Sequence, residues 1–194
     1  IVTGCMAQRY KEEITEEIPE VDAVLGTTSY GDIVKALNEA EAGHVFQEFK
    51  DINALPEDSG RRVITTGGHF GYLKIAEGCD KHCTYCIIPS LRGKFRSVPE
   101  ERLLKQAEYM ASQGVRELIL VAQETTVYGT DLYGKKTLHI LLKKLCQIKG
   151  IRWIRVLYCY PEEIYDELIQ VMKEEKKICH YLDLPIQHAS DRIL

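Results

Sequence analysis

No stretch of the chain is apolar for anything near the ~20 residues that a membrane-spanning helix needs, so nothing in it reads as a membrane span. Charge of one sign is not in excess either. Lys and Arg number 25 against 29 Asp and Glu, a formal charge of −4, which excludes the global basic signature of a nucleic-acid binder. The cysteines lack the even count of a disulfide framework: seven occur in 194 residues. Such a set fits metal-binding or core roles in a reducing cytoplasm better than disulfides. What is present is otherwise ordinary for a soluble protein, with 45% hydrophobic and 28% charged residues. The length allows one full domain or parts of two.

The pattern along the chain alternates strands and helices. Ile1–Thr3 reads as the tail of a buried strand, Met6–Glu17 as a helix ended by Pro19, and Val21–Leu25 as a short strand. Ile33, Ala36, Leu37 and Ala40 share one face of a helix over Asp32–Ala42, closed by Gly43. Residues 44–68 lack a helical period apart from a candidate strand at Val45–Phe49, and contain Pro56-Glu-Asp-Ser-Gly60, so they read as an interdomain connection. Beyond it, strands at Tyr72–Ala76, Leu118–Ala122, Trp153–Leu157 and Tyr181–Leu184 alternate with helices starting at Pro99, Leu138 and Glu162. Such alternation predicts a parallel sheet with right-handed crossovers. Periodicity leaves open whether it is doubly wound or part of a barrel. The chain opens inside a strand and stops at Leu194, just after the helix-start pattern Ser190-Asp191, so it reads as a fragment of a longer protein.

The segment Glu77-Gly-Cys-Asp-Lys-His-Cys-Thr-Tyr-Cys-Ile-Ile-Pro89 concentrates the chemistry. Cys79, Cys83 and Cys86 have C-x3-C-x2-C spacing. Three thiolates so close can hold three irons of a cubane iron–sulfur cluster. Full ligation usually takes four cysteines, and no fourth follows in the loop, so one iron stays open for another ligand. Zinc is the alternative, with His82 closing a tetrahedron, although zinc ligands more often come as two separated halves. An electron-transfer ferredoxin predicts C-x2-C-x2-C with a further Cys-Pro, and the chain has neither. In a parallel α/β sheet the functional site lies at the carboxyl ends of the strands. The cysteine loop, Gln123-Glu124-Thr125, Tyr158-Cys159-Tyr160 and Gln187-His188 all fall there.

The loop resembles the signature of the radical S-adenosylmethionine (SAM) enzymes, C-x3-C-x-aromatic-C, with Tyr85 as the aromatic. Tyr72–Cys79, Cys86–Gly93, Val121–Gly129 and Leu184–His188 are similar to the methylthiotransferase branch, and most to its ribosomal-protein-modifying members. The resemblance runs over essentially the whole chain. It implies an α/β fold in which residues 1–43 end a parallel methylthiotransferase N-terminal domain, 44–68 form a linker, and 69–194 supply the first four strands of a radical-SAM partial (β/α) barrel. It implies a transferase that inserts a methylthio group at an unactivated C–H bond, namely the β-carbon of an aspartate in ribosomal protein S12. The implied partners are that protein or the small ribosomal subunit, and an electron-donating reductant. Methylthiolation of a tRNA adenosine is the sibling activity.

Two 4Fe–4S clusters and SAM are the cofactors that the resemblance implies. Cys79, Cys83 and Cys86 would ligate the cluster that binds SAM. Cys5, in Val2-Thr-Gly-Cys-Met-Ala-Gln-Arg-Tyr10, resembles the last of three ligands of a second cluster. Tyr85 would pack near the adenine, Gln123 and Glu124 would receive the methionyl amino group, and Gln187 would bind cofactor. Gln123 and Glu124 can equally cap the loop that follows them. Arg92 and Arg96 suit a carboxylate on cofactor or substrate. Cys146 and Cys179 read as core residues, Cys179 just before a strand.

Overall fold

A computed structural model describes residues 1–55 and 62–193; the predicted connection at Pro56–Gly60 lies outside the described residues. The chain divides into two compact units. One comprises Ile1–Arg62 with Gly78–Lys94, the other Val63–Glu77 with Phe95–Leu194. Among the described residues no helix is long and apolar enough to cross a membrane.

The first unit is built on a three-stranded parallel sheet of β1 (Val2–Thr3), β2 (Ala23–Leu25) and β3 (Phe46–Glu48), in that order. The central strand is buried on both faces, so its side chains alternate between two helices. Val24 packs with Ala7 and Ile14 of α1 (Cys5–Glu17), while Ala23 and Leu25 pack with Ala36 of α2 (Ile33–Glu41). α1 is interrupted at Lys11, whose φ of 21° and ψ of −97° are not helical.

The second unit carries β4 (Phe70–Lys74), the short hairpin strands β5 (Ala76–Glu77) and β6 (Arg96–Ser97), β7 (Glu117–Val121), β8 (Trp153–Val156) and β9 (Ile178–Leu182). The main sheet runs β4-β7-β8-β9, every neighbouring pair parallel. Each successive strand is added to the same edge, with no reversal of order. That singly wound arrangement belongs to a barrel wall, whereas a doubly wound sheet reverses order at a switch point. Gly71 and Leu73, Leu118 and Leu120, and Ile154 and Val156 alternate onto one buried face. Against it lie α4 (Glu100–Ser112), α6 (Leu138–Cys146) and α7 (Asp166–Glu174), and α6 packs on both of the others. Two further short helices flank loops: α3 (Ile88–Arg92), in the first unit, and α5 (Thr130–Tyr133).

The structure departs from the sequence pattern at several places. The third helix of the second unit begins at Asp166 and not at Glu162, because Pro161–Glu163 forms a 3-10 turn and Ile164 and Tyr165 are extended. The last strand begins at Ile178, three residues before the predicted Tyr181, and ends at Leu182. Cys179 therefore lies inside β9 and is half-buried, not a core residue ahead of a strand. β8 and β9 are out of simple register, with Ile154 opposite Ile178 but Val156 opposite Leu182. Pro99 serves as the residue before α4, with Glu100 and Glu101 in the first turn facing the positive end of the helix dipole.

Candidate functional site

In the first unit the cysteine loop is pinned at both ends by main-chain contacts. The Cys79 N–H donates to Gly93 O at 3.2 Å, and the Cys86 N–H to Cys83 O at 3.0 Å. Gly78 has φ +74°, and a Cβ there would stand 2.1 Å from the Lys94 carbonyl oxygen. Only glycine meets both demands. Gly93, at the far end, has φ +73° and presses on Ile52 O and Asn53 Oδ1. Asn53 Oδ1 also accepts the Lys94 N–H at 3.0 Å. The loop is thus closed on the turn at 51–54, whose own first bond is Asn53 N–H to Asp51 Oδ1 at 2.9 Å.

Cys79, Cys83 and Cys86 are not joined in disulfides and are of intermediate burial. Cys83 and Cys86 line a concavity of about 440 Å³ together with His82, Thr84, Tyr85, Ile87, Pro89 and Ser90. Cys79 is not among its lining residues. Tyr85 is 75% exposed. Among the described residues no three His, Cys, Asp or Glu side chains converge as on a single metal ion.

Cys5 opens α1 and is also a half-buried free thiol. Arg92, the last residue of α3, aims its Nε–H at Cys5 Sγ over 3.2 Å. Beside this pair, the Thr27 hydroxyl donates to Leu91 O at 2.9 Å, and the Thr27 N–H donates to Gln8 Oε1 at 3.0 Å. The sequence gives no sign that residues 5 and 92 meet. Arg92 reads there as part of a basic turn or as a partner of a carboxylate on cofactor or substrate, whereas its Nε–H here addresses a sulfur.

In the second unit, the carboxyl ends of the strands are stitched together. The Thr125 N–H donates to Tyr158 O at 3.0 Å, its hydroxyl approaches Leu157 O at 2.8 Å, and the Cys159 N–H donates to Asp183 O at 2.9 Å. Glu124 is 2% exposed. Its Oε1 accepts the Thr126 N–H at 3.0 Å and the Thr126 hydroxyl, so this carboxylate braces the loop after β7. Gln123 presents a buried Oε1 with no hydrogen-bond partner. An amide oxygen left that way costs about 1–3 kcal/mol, and it is an open acceptor at a strand end. Gln187 lies exposed at φ 64° with its Nε2 donating to Pro185 O at 3.2 Å. His188 accepts the Ser190 N–H through Nδ1 at 2.9 Å. Arg96 lies in β6 opposite Glu77. β6 is held by Ser97, whose N–H and hydroxyl both donate to Asp131, at 2.8 and 2.6 Å. Sequence inspection missed this clamp.

The environments of the remaining cysteines favour the protonated thiol. Cys159 is fully buried and Cys146 nearly so. Burial pushes each thiol up to about 11 from the ordinary 9.0, so both stay protonated near neutral pH. Burial also raises Cys179.

Comparison with known proteins bears on this geometry. The family model of the Radical SAM superfamily matches residues 73–194. Over all 194 residues the chain is 66% identical to the ribosomal protein uS12 methylthiotransferase RimO of Lachnoclostridium phytofermentans and 53% identical to the protein of the same name from Clostridioides difficile. In both cases it spans 44% of the relative's length. Among solved structures, the radical S-adenosylmethionine methyltransferase TsrM of Kitasatospora setae, determined with tryptophan and a SAM analogue, superposes with a TM-score of 0.52 at 16% identity. The match covers 66% of this chain and 24% of TsrM, and another structure of TsrM contains cobalamin and a 4Fe–4S cluster. At that identity the likeness speaks for the fold.

Proposed function

We propose a function from one premise: this chain belongs to the Radical SAM superfamily. It is the part of a methylthiotransferase that carries the radical site, acting on an aspartate of ribosomal protein S12 in the cytoplasm. Residues 69–194 form its radical SAM core, 44–68 a linker and 1–43 the end of the preceding domain. The observation that carries this reading is the pinned loop that holds Cys79, Cys83 and Cys86, the last two lining a concavity. Identity of 49% to 66% to the uS12 enzymes along the whole chain favours the protein substrate over tRNA.

The donor set fits a 4Fe–4S cluster: three soft thiolates from one loop, and no fourth cysteine within it. When bound, cluster and SAM together supply a 5′-deoxyadenosyl radical able to break an unactivated C–H bond. The chain's own residues then hold and orient. Cys79, Cys83 and Cys86 would hold the cluster. Tyr85 offers its exposed ring to the adenine. The open Gln123 Oε1 suits an N–H donor such as the methionyl ammonium. Glu124 acts beside it by fixing the loop, and Gln187 supplies a further polar contact. Arg96 faces the carboxylate of substrate or cofactor. Cys5 would be one ligand of a second 4Fe–4S cluster, which would serve sulfur insertion, with a reductant as the source of electrons.

Anaerobic reconstitution tests the cluster. The Cys83→Ala variant is expected to lose both cluster absorbance and 5′-deoxyadenosine formation, and retained cleavage of SAM in it sinks the assignment. Deleting the gene tests the substrate. Ribosomal protein S12 is expected to lose one methylthio increment by mass spectrometry while tRNA keeps its own; loss from tRNA alone reverses the substrate assignment.

A further inference from the structure

We infer that Arg92 is a positioning residue for the sulfur of Cys5, and that its N–H sets the reduction potential of the iron–sulfur group held there. The inference rests on the reading of Cys5 as a cluster ligand, and adds to it a residue that acts on that ligand.

The geometry begins with α3. The helix follows Cys86 after a single residue, and its last residue, Arg92, precedes the turn at Gly93. Its C-terminal end is fastened to the N-terminal sheet region by the Thr27 hydroxyl on Leu91 O. Thr27 is in turn held by Gln8, three residues after Cys5 on α1. Residues three apart share one helix face, so Cys5 and Gln8 both address α3. Gln8 is 9% exposed and Thr27 2%, so the brace between them is buried, while the Cys5–Arg92 contact itself is part-buried. Arg92 Nε therefore reaches Cys5 Sγ at 3.2 Å from a backbone that is itself tied down.

Hydrogen bonds to ligand sulfurs and neighbouring positive charge stabilise the reduced, more negative state of a cluster and so raise its potential. A charge-assisted bond differs between the two redox states by an amount on the order of 1.4 kcal/mol, or about tenfold in the reduced-to-oxidised ratio. For a one-electron couple that is about 59 mV. Cys5 also sits in the first turn of α1, whose backbone N–H groups act in the same direction. They remain in every Arg92 variant. The connection matters functionally because Arg92 lies only six residues beyond Cys86, so one short helix joins the loop of the three cysteines to the fourth sulfur.

The test uses the full-length gene product, reconstituted with iron and sulfide, in a background of Cys79→Ala, Cys83→Ala and Cys86→Ala, so that the remaining signal belongs to the Cys5 group. Electron paramagnetic resonance at a series of fixed potentials reads its reduced fraction. Arg92→Gln is expected to lower the reduced-to-oxidised ratio about tenfold at unchanged iron content. Arg92→Lys, which keeps the charge but not the planar N–H fork, is expected to recover part of it. Loss of iron in the Gln variant with retention in the Lys variant supports the same grip on sulfur. Unchanged potentials in both variants overturn the inference. Loss of iron in both, with a lowered melting temperature of the metal-free protein, also overturns it, since Arg92 is then structural. Iron retained after Cys5→Ala in the same background overturns the ligand reading itself, a result separable from the others.

Discussion

Gly78 offers the sharpest test of how the cysteine loop is held. Its φ is +74°, and a Cβ would meet Lys94 O at 2.1 Å, Gly93 O at 2.5 Å and Lys94 C at 2.6 Å. All three are main-chain atoms, so no side chain can swing aside. Gly43 has a nearly identical φ of +79°, yet nothing lies within 4 Å of its Cβ position. Both glycines belong to the first unit. Gly43→Ala therefore isolates the backbone term, about 1–2 kcal/mol, offset slightly by the stiffer unfolded chain. Gly78→Ala adds an overpacking term of roughly 1–3 kcal/mol and forces Cys79 N–H away from Gly93 O. In a unit of this size 1 kcal/mol is worth roughly 4–8 °C of melting temperature. Thermal melts of the metal-free protein are expected to place Gly78→Ala at least several degrees below Gly43→Ala. Amide exchange in a peptide covering 78–94 is expected to speed up in the first variant only. Equal melting temperatures, with equal protection of that peptide, would refute the claim that the Lys94 and Gly93 carbonyls close on Gly78.

Thr27→Val keeps the shape but leaves Leu91 O without the hydroxyl, and is expected to cost about 1–2 kcal/mol by urea denaturation. Asp131→Ala removes both acceptors of the Ser97 clamp and is expected to destabilise the second unit by about 2–3 kcal/mol, read as a lower urea midpoint with unchanged slope. Stability is also expected to fall at high pH. Cys146 and Cys159 ionise near 9.0 when unfolded but only at about 11 when buried. Their contribution is thus fully present below 9 and is lost as pH rises towards 11, because the unfolded chain releases protons that the folded one retains. Urea midpoints at pH 8 and 10.5 check the sign, and Cys159→Ala is expected to shallow the decline.

Much of this molecule is written locally. The alternation of apolar strands and amphipathic helices announces a parallel α/β fold, and the spacing of Cys79, Cys83 and Cys86 announces metal chemistry, because both depend on residues a few positions apart. What escaped depended on distance or on small local balances. α7 starts late because Pro161 seeds a 3-10 turn and Tyr165 stays extended, an outcome that helical periodicity from Glu162 does not reveal. β9 takes in Ile178 and Cys179, where only Ile178 is buried and the usual alternation is missing. The order of strands, which separates a barrel wall from a doubly wound sheet, is a property of pairing and not of any segment. Arg92 meets Cys5 across 87 residues, and neither residue's neighbours encode the other. For Glu124 the sequence offers two readings, a ligand for an amino group or a cap of the loop that follows; its Oε1 accepts the Thr126 N–H two residues on, a local competition that residue type leaves open.

The division of the chain has a consequence for how it is made. The backbone passes from one compact unit to the other at 62/63, returns at 77/78, and leaves again at 94/95. Neither unit is a contiguous stretch. On a ribosome, the first cannot be finished until residue 94 has emerged, by which time β4, the opening strand of the second, has already been synthesised. The nascent chain must therefore hold an unpaired strand while it completes the fold that encloses the cysteines. The contacts that close the loop lie wholly before β7: the carbonyls of Gly93 and Lys94 precede Glu117, the first residue able to pair with the waiting strand. In order of emergence the closing of the cysteine loop thus precedes the pairing of the barrel wall, by the residues that separate Lys94 from Glu117.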